Sequence, residues 1–181
     1  ATMARLATYM GTKIGGGFEF IASLDASGSA NLSFTGFDAS KYDSYKFMLH
    51  NVIPATDNVI LYGRTSTDGG NNYDSGSSDY RNYNADQAFL LITNDDTGSA
   101  ANETGVCGEV VIFAPHLTQF TRINTDMSQV NASGHAYSAQ NNHPFGSLIR
   151  LSAADVDAFQ FLFSSGNIET GTITMYGLVN S

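Results

Sequence analysis

RTSTDGGNNYDSGSSDY, residues 64–80, separates two stretches in which apolar and polar residues alternate in the manner of strands. Asp68-Gly69-Gly70 at its centre is a turn signal: glycine takes positive φ without steric cost, and an Asp side chain bonds its own backbone two residues on. The stretch therefore reads as a hairpin, and the chain around it reads as β-structure. On its N-terminal side, Val59-Ile60-Leu61-Tyr62 is a near-continuous apolar run, which suggests a strand covered on both faces. On its C-terminal side, Arg81 and Tyr83 belong to a polar, tyrosine-rich piece that leads to an apolar run over 88–93.

Further out the period-2 pattern recurs. Phe18, Phe20, Ala22 and Leu24 fall on one face, and Leu32 and Phe34 on one face of the next segment, so these two segments are expected to pair as a hairpin. Tyr45, Phe47 and Leu49 line a further strand, which Pro54 stops because proline cannot donate to a ladder. Strands are also expected over 107–113, 120–127 and 172–179. Phe159, Phe161 and Phe163 give the heaviest apolar face in the chain; buried aromatics dominate core energetics, which puts that strand at the centre. The total is roughly nine or ten strands with short connections and no long amphipathic helix. That pattern predicts an all-β fold, an antiparallel β-sandwich of jelly-roll-like form.

Composition bounds the function. The chain has 181 residues, enough for one domain with a sizeable core, and a net charge of −9. The eight Lys and Arg form no run, which argues against a nucleic-acid surface. No apolar stretch approaches the roughly 20 residues of a membrane span, and the start of the chain carries no signal-peptide pattern. Cys107 is the one cysteine, so no disulfide framework forms within the chain, and it reads as a small apolar residue on a strand.

Residues 1–16 read as an arm, with a single β-sandwich domain over 17–181. Gly15-Gly16-Gly17 would decouple the arm from the domain. Leu6, Tyr9 and Met10 are apolar groups on the arm, which is either a disordered terminus or a partner-binding segment docked on a neighbouring subunit.

The residues that could carry chemistry do not form a recognisable constellation. His135 and His143 share one segment, but a metal site needs converging ligands, so no metal and no cofactor is expected. Asp68, Asp74 and Asp79 cluster without the spacing of a calcium loop or the pairing of a glycosidase, and are read as turn residues. No catalytic residue is assigned. Tyr73, Tyr80 and Tyr83 either fill the sandwich edge or form an exposed platform, with Tyr80 and Tyr83 the candidate surface contacts.

Two resemblances add to this reading. Ser66, Asp68, Gly70 and Tyr73 resemble the Asp-box, a hairpin pattern of the form S-x-D-x-G-x-x-aromatic, which implies a structural turn closed by the Ser and Asp side chains over the aromatic. Four blocks occur in order: Leu32 to Phe37; Tyr42 to Phe47 with Asn51 to Asp57; Leu61 to Tyr80; and Phe161 to Ile168 with Gly171 to Leu178. Together they resemble a group of small structural proteins of tailed bacteriophages and prophages. The resemblance implies a non-enzymatic virion component, with other virion proteins of capsid or tail as partners. It also fits a homo-oligomer, with a trimer among the candidate states, and no nucleic acid or membrane partner. A capsid decoration protein attached through residues 1–16 is the leading expectation. A tail or fibre component, and a carbohydrate-binding module for a host glycan, are the alternatives.

Overall fold

The computed structural model describes residues 17–82, 85–93, 96–100, 102–138 and 146–180. Every regular element among them is a strand: β1 (Phe18–Ser29), β2 (Leu32–Phe34), β3 (Tyr42–Pro54), β4 (Leu61–Ser66), β5 (Tyr80–Asn82), β6 (Ala85–Gln87), β7 (Leu90–Leu91), β8 (Val106–Phe113), β9 (Phe120–Val130), β10 (Ala136–Ser138), β11 (Gly146–Ala153), β12 (Ala158–Phe163) and β13 (Ile168–Val179). They form two antiparallel sheets packed face to face. The large sheet runs β1-β13-β3-β8-β9-β11-β5-β6, with β10 also paired to β9; the small sheet runs β2-β12-β4-β7. The chain passes repeatedly between them, with β1, β3, β8 and β13 in the large sheet and β2, β4, β7 and β12 in the small one.

Side-chain alternation explains the layers. In β9, Thr121, Ile123, Thr125, Met127 and Gln129 are buried while Arg122, Asn124, Asp126 and Ser128 are exposed, as a strand with one wet face requires. The core between the sheets is aromatic. Phe47 of β3 packs against Phe34, Phe159 and Phe161 of the small sheet at ring-centroid distances of 5.2, 5.5 and 5.4 Å. Edge-to-face and offset ring pairs of this kind add to the burial of their area. β12 lies between β2 and β4, so its phenylalanine face sits at the centre of the small sheet.

Three expectations are corrected. β1 and β2 do not pair: β1 runs beside β13 in the large sheet and β2 beside β12 in the small one. Both strands bury residues against the same core, which sets them on opposite layers rather than side by side. Second, the register of β1 shifts between Phe20 and Ala22. The extra residue of a bulge switches the outward parity, so Phe18 and Phe20 face solvent while Ile21, Ala22 and Leu24 pack on the core. Third, the 64–80 stretch is not a hairpin. β4 pairs with β12 and β7, and β5 pairs with β11 and β6, so the connection crosses from one sheet to the other.

Candidate functional site

The 66–80 crossing is built from its own polar side chains. Ser66 Oγ accepts the amides of Asp68 and Gly70 at 3.2 and 3.0 Å and donates to Asp68 Oδ1 at 2.8 Å. Asp68 Oδ1 accepts the Asn72 amide at 2.8 Å, and Oδ2 accepts the Asn72 side chain at 2.6 Å. These bonds, led by the Asn72 side chain, hold the Asp68 carboxyl below its ordinary pKa. Gly70 has φ +83°, and a Cβ there would stand 2.8 Å from Thr35 Cγ2 and 2.9 Å from the Tyr73 hydroxyl. Tyr73 is thus tucked under the turn, its hydroxyl buried.

The far end of the crossing is clamped by a buried network. Arg150 of β11, 4% exposed, places Nε and Nη2 each 2.8 Å from Asp74 Oδ2, and its Nη1 donates to the Ser152 carbonyl at 2.6 Å. Thr65 Oγ1 donates to the same Asp74 oxygen at 3.2 Å, and the Thr65 amide donates to the Tyr80 hydroxyl at 2.8 Å. Burial pushes the Tyr80 hydroxyl up to about 12. Thr65 belongs to the small sheet and Tyr80 and Arg150 to the large one, so the network ties the two layers together.

This placement corrects the surface role considered for Tyr80, which is fully buried. Its parity in β5 points it at the core, where Thr65 and the Asp74 carbonyl satisfy the hydroxyl. Tyr83, Leu6, Tyr9, Met10 and His143 lie outside the described residues. His50 is exposed on β3. Cys107 lies on β8, partly exposed, with its thiol 3.1 Å from Asn51 Oδ1. Among the described residues no group of three or more His, Cys, Asp or Glu could hold a metal ion.

Two surface features were not legible in the sequence. The first is a cleft of about 340 Å³ that includes Asp38, Ser40, Tyr45, His116, Asp155 and Asp157 in its lining. Asp157 Oδ2 accepts the Gly69 amide at 2.9 Å, which seats the tip of the 66–80 crossing beside the cleft. Asp157 Oδ1 and His116 Nδ1 are buried without a hydrogen-bond partner among the described residues.

The second feature is an apolar band across the outer face of the large sheet. Cross-strand register sets Phe18 beside Leu178, Leu178 beside Ser44 and Ser44 beside Phe113. One row along, Phe20 stands beside Tyr176, Tyr176 beside Lys46 and Lys46 beside Val111. Phe18, Phe20, Phe113, Leu117 and Phe120 are 43, 62, 43, 41 and 56% exposed. All belong to the end of the sheet where β1, β3 and β9 begin and β8 and β13 finish. Ion pairs lie beside and within the band: Lys41 Nζ is 2.8 Å from Glu19, and Lys46, between Tyr176 and Val111, places its Nζ 2.6 Å from Glu109 and 5.2 Å from the Phe18 ring centroid. Exposed large apolar side chains gathered at one end of a sheet in this way mark contact sites. No known protein family matches the chain, and neither curated proteins nor solved structures yield a match.

Proposed function

We propose that this chain is a structural component of a tailed-bacteriophage particle, a capsid decoration protein attached through its first 16 residues and presenting a further contact face on its large sheet. The observation that carries this reading is the apolar band, a surface suited to contact with another chain, which begins at Phe18 at the start of β1. Two further features support it. The strand orders β1-β13-β3-β8 and β2-β12-β4-β7 are compatible with a jelly roll, an architecture frequent in viral shells and lectins, which lends support by analogy of fold. The four sequence blocks that resemble phage structural proteins fall mainly on β2, β3, β4, β12 and β13, the elements that enclose the aromatic core.

Quantitative mass spectrometry and imaging of purified particles test the proposal. Many copies spread over the shell are expected. A few copies at the tail would move the assignment to a tail or fibre component, and absence from particles would overturn the structural reading.

The cleft beside Asp157 favours a second reading, a carbohydrate-binding module, because carboxylates accept the hydroxyl donors of a sugar. Titration of the protein with host-surface glycans tests it: saturable binding lost in Asp155→Ala, whose carboxylate is exposed in the cleft, supports it, and no binding removes it.

A further inference from the structure

We infer that the apolar band on the outer face of the large sheet is covered by a second copy of this chain, in an isologous face-to-face contact. The inference rests on the reading of that face as a contact surface of the assembled particle and names the partner that meets it.

The area fits. At about 200 Å² per phenylalanine, the exposed parts of Phe18, Phe20, Phe113 and Phe120 amount to about 400 Å². A stable interface buries about 800 Å² per partner, of which about 65% is apolar in homodimers. The four rings, with Leu117, Tyr176 and Leu178 beside them, therefore supply most of the apolar core that one side of such a contact needs. The band crosses β1-β13-β3-β8-β9, about 19 Å at about 4.8 Å per strand.

Charge selects the occupant. The chain carries −9 overall, so two copies repel over most of their surfaces. The band is an exception, because Lys41 is matched by Glu19, Lys46 by Glu109, and Arg122 adds a positive group beside Phe113. A two-fold contact places these groups of one copy among the same groups of the other, with cation available to each carboxylate. A strongly basic partner would instead be drawn to the carboxylates of Asp38, Asp155 and Asp157 around the cleft. The contact is through the face and not the free edge of β1, since the shift between Phe20 and Ala22 interrupts the ladder that a second strand would extend.

Sedimentation and light scattering of the full chain, over a wide concentration range, test the inference beside a Phe20→Glu/Phe113→Glu variant. The unmodified chain is expected to self-associate reversibly, and the variant to do so at least about 30-fold more weakly, the loss typical of one interface hot spot. Both rings are exposed, so the variant's circular dichroism and melting should match the parent's. A chain that stays monomeric overturns the inference. An apolar dye that then binds the parent chain and not the variant leaves the face to a different protein; equal dye binding assigns the cover to residues 1–16. A variant that associates as tightly as the parent overturns it too. Monomeric protein found in particles would leave the attachment reading intact, whereas a dimer missing from particles would remove that reading and keep this contact.

Discussion

Arg150 and Asp74 form a bridge in which two guanidinium nitrogens reach one carboxylate oxygen at 2.8 Å, with the arginine 4% exposed. The pair joins β11 of the large sheet to the connection that leaves the small sheet at Ser66. A buried guanidinium is tolerated only while its partner is present, because its desolvation is otherwise uncompensated. Asp74→Ala is therefore expected to destabilise the fold by about 3 kcal/mol in chemical denaturation, with the 66–80 crossing becoming accessible to protease. A cost below about 0.5 kcal/mol, the level of an ordinary surface substitution, would show that the network does not hold the layers together.

Tyr80 supplies the other half of that clamp. Tyr80→Phe keeps the ring and removes the hydroxyl that accepts the Thr65 amide, so a loss of about 1–3 kcal/mol is expected for the orphaned donor. Equal stability of the two proteins would mean that the Thr65 amide finds another acceptor.

The alkaline limb of stability follows from two hydroxyls. Tyr80 and Tyr45 are pushed up to about 12, in each case chiefly by burial, against an ordinary value of 10. Between pH 10 and 12 the unfolded chain releases these protons while the folded chain keeps them, so stability is complete below pH 10 and falls as pH rises through that window. Denaturation midpoints measured across it should decline, and Tyr45→Phe and Tyr80→Phe should each make the decline shallower. Tyrosinate absorbance that appears at the ordinary value for every tyrosine would contradict this.

At the tip of the crossing, Gly70→Ala is expected to cost about 1–3 kcal/mol, from backbone strain at φ +83° and from contact with Thr35 and Tyr73. Ser66→Ala, which leaves the Asp68 and Gly70 amides without their acceptor, should cost about 1–2 kcal/mol. Thermal unfolding of both variants checks the two values; a neutral Gly70→Ala would mean that the turn relaxes around the added methyl.

The layers were legible where one face of a strand is wet. β9 shows a clean period-2 pattern that its burial follows from Phe120 to Gln129, and β12 alternates from Phe159 to Phe163, with Ala158 buried beside it. β1 was misread because a bulge reverses parity within an otherwise regular pattern: Phe18 and Phe20 look like core in the sequence and stand on the surface in the structure. Partner choice was equally hidden. Asp68-Gly69-Gly70 signals a turn, but a turn signal does not say whether the next strand returns beside the last one or crosses to the other layer. Long-range pairs decided that, chiefly β4 with β12 and β5 with β11. The band and the cleft escaped sequence reading for the same reason. Phe18, Phe113 and Phe120 come together only through the strand order, and Asp38 meets Asp157 only where two loops converge.

The central claim is that the outer face of the large sheet is a contact surface in the assembled particle. Hydroxyl-radical footprinting of Phe18, Phe20, Phe113 and Phe120, in free protein at high dilution and in purified particles, measures it directly. All four rings should be oxidised readily in the dilute protein and strongly protected in particles, while an exposed group away from the band, such as His135 in the turn between β9 and β10, is oxidised alike in both. Equal oxidation of the four rings in both states would contradict the claim.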